Sequence, residues 1–210
     1  KTELRELNFQ KKTTTIPYNK GGATYMGRVN NTYAITDADP RDPTKIIGFY
    51  DNVSYDAAWN KGNIWSREHV WPDSRGGTLV ENDVLMTRPC KASINSKRNN
   101  KAYDNVTNAY TFDPGQYCDN YRGIAARIIF YCALIEPTLT LSEDARNEDH
   151  NMAKLSVLLE WNETYPPTTN ENADIELVVE QNRNNAAENL QGNRNPFVDH
   201  PEFINMIWGI

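Results

Sequence analysis

Glu68 and His69 stand side by side in the stretch Trp65-Ser66-Arg67-Glu68-His69-Val70-Trp71-Pro72-Asp73-Ser74. With Arg67 before them, they offer an oxygen donor, a proton acceptor and a guanidinium within three residues. Adjacent residues of a regular strand point to opposite faces. Glu68 and His69 can therefore serve one site only where a strand ends or bulges. Pro72 has no N–H for a sheet ladder and places that failure of pairing close by. Arg67 and His69, two residues apart, share a face. The competing reading is an edge strand carrying a surface salt bridge, since charged side chains are mostly exposed.

The next segment favours chemistry. From Met86 to Lys101 the chain contains Arg88, Lys91, Lys97, Arg98 and Lys101 and no acidic residue, although its formal net charge is -6. Asn95 lies three residues from Arg98 and four from Lys91, so on a helix all three fall along one side. Pro89 suits the first turn of such a helix. A strand end with Glu and His, followed by a helix with an amide oxygen and cations, makes a hard-cation site beside a phosphate-sized patch. Arg98 is the expected catalytic guanidinium. Arg67, Arg75, Arg88, Lys91 and Lys97 are the expected contacts to a nucleic-acid backbone.

Three strings, REHVWPDS from Arg67, DVLMTRPCKASINSKRNN from Asp83 and QGNRNPFVDHPEF from Gln191, carry a resemblance. From about Thr36 to its end the chain resembles the bacterial endonuclease I family of secreted or periplasmic non-specific nucleases. The resemblance implies a ββα-metal (His-Me finger) site, with Glu68 as a metal ligand, His69 as the general base and Asn95 as the second ligand. It also implies 5′-phosphate products. The chain departs from the family where D-L-H-N-L-R-P is common: Leu85 and Met86 replace the histidine and asparagine. A cysteine-containing insertion that carries a catalytic arginine in some relatives is absent, so no arginine is assigned by resemblance.

These residues need a frame. At 210 residues, the chain can bury a substantial core and is expected to form one domain over residues 1–210, with a monomer as its expected state. Mean hydropathy is -0.73 and no apolar run approaches membrane-spanning length, so no membrane partner is expected. Cys90, Cys118 and Cys132 are too few for a disulfide scaffold. No signal peptide is present and the first residue is Lys1, so a processed chain is expected, secreted or periplasmic by resemblance. Charge is uneven: residues 61–101 carry eight basic and four acidic side chains, residues 136–180 two and eleven. A basic face with an acidic back suits a polyanion, because local potential steers it.

The expected fold class is α+β, a small sheet enclosed by several helices. Strands are expected on both sides of the turn-rich segment Asp37–Pro43, the second over Lys45–Tyr50, with a further strand over Asn82–Thr87. Ile124, Ile128, Tyr131 and Ile135 mark a core helix over Tyr121–Ile135. Further helices are expected over Asp149–Glu163, before Pro166-Pro167, and over Ala173–Leu190. The polar motif Gln191–Phe197 reads as a rigid turn, with nucleic-acid contact by Arg194 as the alternative.

The expected reaction is metal-dependent endonucleolytic hydrolysis of DNA, with RNA left open. One carboxylate and one amide leave a cation most of its waters, which suits Mg²⁺, with Mn²⁺ or Ca²⁺ as alternatives. The other class considered is a nucleic-acid-binding protein without catalysis, which would need neither Glu68 nor His69. A zinc protease is disfavoured by three scattered histidines and no H-E-x-x-H.

Overall fold

A computed structural model describes residues 1–18, 29–167 and 191–209. The architecture is α+β, and α4 (Asn120–Ile135) runs through its centre. Thirteen of the sixteen residues of α4 are buried, so the helix is apolar around its circumference and acts as an axis. Its arginines are committed locally: Arg127 donates to Tyr165 O at 2.8 Å and Arg122 pairs with Asp113 at 2.7 Å. Before α4 come α1 (Thr2–Lys11) and α2 (Val29–Thr36). A three-stranded antiparallel sheet follows, formed by β1 (Ala38–Asp39), β2 (Asp42–Ile47) and β3 (Ser54–Asp56). Where a strand is expected ahead of the Asp37 turn the chain is helical α2, and β1 and the start of β2 lie inside the expected turn. The strand expected to reach Tyr50 ends at Ile47.

The strand–strand–helix unit is β4 (Trp65–His69), β5 (Thr87–Lys91) and α3 (Ala92–Arg98), with no residue between β5 and α3. β4 and β5 pair antiparallel, with Glu68 opposite Arg88 and His69 opposite Thr87. Pairing starts later than the Asn82–Thr87 expectation. Asp83 is held instead by Tyr131 Oη (2.8 Å) and Gln191 Nε2 (2.6 Å), and its other oxygen accepts from Leu85 N. Pro89 consequently sits in β5, not in a helix; a two-stranded hairpin tolerates its missing N–H, and its carbonyl accepts from Phe49 N at 2.7 Å.

Short parallel pairs β6 (Ala102–Tyr103) with β7 (Thr111–Phe112), and β8 (Thr140–Leu141) with β9 (Asn151–Met152), flank α4. Pairing of β9 with β8 delays the helix expected from Asp149. α5 spans Leu155–Thr164 and packs on α4. The helix expected over Ala173–Leu190 lies outside the described residues. α6 (Pro196–Asp199) and α7 (Glu202–Trp208) close the described chain.

The motif from Gln191 acts as a fastener. Gln191 Oε1 accepts from Val84 N, Asn193 Nδ2 donates to Asn8 and Tyr131, and Asn195 Nδ2 donates to Arg127 O. Three segments distant in sequence, α1, the turn at Val84 and α4, are thus joined by buried amides. Arg194, offered as a nucleic-acid contact, pairs with Asp199 on α6.

Arg75 is a second fastener. Only 1% exposed, it donates to the carbonyls of Asn100, Ala145, Asn147 and Asn151 at 2.6–3.2 Å. It holds the 144–151 segment against the turn after β4 and has no surface to offer a phosphate. Truncation would leave several buried carbonyls without donors, each costing roughly 1–3 kcal/mol. Arg75→Ala should therefore lower the unfolding free energy in urea by about 3 kcal/mol or more. Loss of less than about 0.5 kcal/mol, the usual size for a surface change, would show that the clamp carries no weight.

Candidate active site

β4 ends where the sequence requires it to end. The ladder is regular through His69, Val70 N makes one more bond to Met86 O, and the chain then turns away through Pro72. Glu68, His69 and Asn95 consequently line one cleft of about 550 Å³, together with Ser66, Arg67 and Arg98. Adjacent residues of the strand reach a common space because the strand ends immediately after them.

Glu68 is 1% exposed. Its recorded contacts, the Tyr50 hydroxyl at 2.9 Å and Arg98 at 3.3 Å, both fall on Oε1. Oε2 is therefore the oxygen to offer a ligand in the cleft. Burial pushes the carboxyl from its ordinary 4.5 up to about 7, against the opposing pull of Arg98 and the Tyr50 hydrogen bond. Burial also holds the Tyr50 hydroxyl well above its ordinary pKa, so it remains a donor. Asn95 donates through Nδ2 to Ser66 Oγ (2.9 Å) and Arg67 O (3.0 Å). Those bonds fix the amide plane and identify Oδ1 as its acceptor end. A carboxylate with one oxygen left over by its partners, in the same cleft as an oriented amide oxygen, is a donor set that fits a hard divalent cation.

His69 lies edge-on to the Tyr18 ring, with centroids 4.7 Å apart, and its Nε2 is 3.6 Å from Glu81 Oε2. Asp73 joins them: one ligating atom from each of His69, Asp73 and Glu81 lies within 4.8 Å of the others. The Glu81 carboxylate is thus placed beside the imidazole. Arg67 stacks on the other side of this arrangement, its guanidinium 4.0 Å from the Tyr18 centroid and donating to Tyr18 O. Arg67 and His69 thus share a face, as their spacing requires.

The cations divide differently from the expectation. Arg98 is 0% exposed and donates to His69 O (2.8 Å) and Val70 O (2.6 Å), so its donors hold the strand end that carries the imidazole. Arg88 is 1% exposed, with two donors on Asp37 Oδ1, and is removed from the surface like Arg75. Charge type in a basic stretch does not reveal that a partner 51 residues away takes the charge inside. Lys91, at the end of β5, and Lys97 on α3 are exposed, and Arg67 lines the cleft wall. Tyr18, Tyr50, Asp73 and Glu81 were not singled out from sequence. Only Asp73 lies in the Glu-His stretch, and no spacing rule connects the others to it.

A carboxyl with a raised folded-state pKa binds more protons folded than unfolded. Its contribution is complete below pH 4.5 and is lost as pH rises through about 7. In metal-free buffer, the melting temperature of Glu68→Gln relative to the parent should therefore climb between pH 5 and pH 8. A difference that stays flat across that range would contradict the desolvated carboxyl.

A family model described as Endonuclease I matches residues 108–202. That span begins after the cleft residues and takes in α4 and most of the Gln191 motif. An extracellular ribonuclease of Bacillus subtilis (strain 168) is 36% identical over 199 residues, covering 85% of this chain and 66% of the relative. An extracellular ribonuclease of Bacillus amyloliquefaciens is 35% identical over 202 residues, 86% and 67% of the two chains. The chain thus spans about two thirds of the length of these curated relatives.

Proposed function

Because the chain belongs to the endonuclease I family, we propose that it is a secreted, metal-dependent endonuclease that hydrolyses phosphodiester bonds of RNA and DNA and leaves 5′-phosphate ends. The observation that carries this reading is the convergence of Glu68, His69 and Asn95 on one cleft. The two relatives named as extracellular ribonucleases support RNA as a substrate and secretion as the destination. Among the described residues, no helix is long and apolar enough to cross a membrane.

Glu68 and Asn95 would hold a divalent cation, Mg²⁺ with Mn²⁺ or Ca²⁺ as alternatives, which when bound supplies Lewis-acid stabilisation of charge on the phosphate. The remaining work belongs to side chains. His69, at the strand end, accepts a proton from the attacking water, and Glu81 stabilises the imidazolium that results. Arg98 keeps the imidazole in place through the backbone of His69 and Val70. Arg67 offers its guanidinium on the cleft wall, while Lys91 at the end of β5 and Lys97 on α3 meet backbone phosphates. With contacts to backbone, sequence preference is weak.

His69→Ala should lose activity on plasmid and on RNA by about 10²–10⁴-fold, yet retain nucleic-acid binding. Cleavage at the parental rate would end the general-base assignment. A binding protein without catalysis is the reading to adopt if the parent cleaves neither substrate at any divalent-metal concentration. The few exposed cations also set the salt response. In the His69→Ala background, Lys97→Ala should reduce the slope of log affinity against log salt by about 0.9 for duplex DNA. An unchanged slope would place the phosphate path elsewhere.

A further inference from the structure

Tyr50 stands behind the cleft on the turn that follows β2, with φ of 82°. Bulky side chains rarely adopt this left-handed conformation, and it persists only where the surroundings impose it. Here they do. The ring is fully buried, with Phe49, Phe112 and Tyr121 at centroid distances of 4.5, 5.1 and 6.4 Å. The turn itself is pinned at Gly48 O, which accepts from Asn52 N and from the Tyr121 hydroxyl.

The constrained backbone delivers one group to one place. Tyr50 Oη donates to Glu68 Oε1 at 2.9 Å and lies 2.6 Å from Tyr103 Oη. A hydroxyl has a single proton. Since Tyr50 gives its proton to Glu68, the proton of the short Tyr50–Tyr103 contact comes from Tyr103. The two phenols thus form a directional chain that ends on one carboxylate oxygen. Arg98, whose guanidinium carbon lies 5.0 Å from the centre of the Tyr103 ring, pairs with the same oxygen at 3.3 Å.

We propose that Tyr50 is a positioning residue for the cation site: its hydroxyl, backed by Tyr103, fixes Oε1 of Glu68 so that Oε2 faces the cleft, and thereby sets the affinity for a divalent cation. This rests on the reading of Glu68 as a metal ligand. Hydrogen-bonded partners of ligating groups hold them in the ligating orientation, and their loss typically weakens metal binding by about 10–100-fold.

The test is titration of Mn²⁺ into the parent, Tyr50→Phe, Tyr103→Phe and Glu68→Gln, following free Mn²⁺ by electron paramagnetic resonance. Melting of each protein in EDTA reports the fold separately. The expected result is Mn²⁺ binding lost in Glu68→Gln, weakened about 10–100-fold in Tyr50→Phe and weakened less in Tyr103→Phe. Nuclease activity of Tyr50→Phe should return towards the parental level at saturating Mn²⁺, which general loosening of the fold would not produce. Parental affinity in Tyr50→Phe, with binding lost in Glu68→Gln, overturns the proposal and leaves the Glu68 assignment standing. Parental affinity in Glu68→Gln removes both. Should Tyr50→Phe fail to melt cooperatively, Tyr103→Phe decides, and parental affinity there overturns the proposal.

Discussion

Arg98 joins the end of β4, the end of α3 and the Glu68 carboxylate. Its guanidinium takes the carbonyls of His69 and Val70 just where the strand ladder runs out, and Glu68 lies 3.3 Å away. A charge buried this deeply costs several kcal/mol to desolvate and is stable only when its hydrogen bonds are met. Here its two terminal nitrogens are met by the carbonyls of His69, Asn99 and Val70, and its charge by the carboxylate of the proposed ligand. The arrangement of the site and the solvation of Arg98 are therefore one problem with one solution. Shifting either strand end or helix would leave a cation exposed to a low-dielectric interior.

That dependence explains which parts could be read from sequence. Glu68, His69 and Asn95 announce themselves because their types are chemically specific and Pro72 shows where the strand must stop. The core helix was legible because Ile124, Ile128 and Tyr131 repeat at helical spacing, and α4 matches the expectation within a residue. The arginines were not legible. Arg75, Arg88 and Arg98 look like phosphate contacts in a basic stretch, but each is interior. Burial of a guanidinium depends on acceptors distant in the chain, such as Asp37 for Arg88 and Asn151 O for Arg75. No local period encodes those meetings. The same holds for β8 and β9, a two-residue parallel pair that displaces the start of α5.

The charge pattern changes meaning accordingly. Residues 61–101 are basic by count, yet three of their four arginines, Arg75, Arg88 and Arg98, face inward and meet carbonyls or acids. The cations left to the proposed nucleic-acid path are the exposed Lys91 at the end of β5 and Lys97 on α3, and the cleft-wall Arg67. A long-range attraction inferred from composition thus becomes a short-range one set by position.

The clamp formed by Arg75 bears on the 144–151 segment. A loop whose carbonyls converge on one point is the arrangement that proteins often complete with a bound calcium ion. Here the positive centre is covalently attached, so it can be neither diluted away nor exchanged for another metal. The convergence of these carbonyls therefore needs no dissolved ion to complete it.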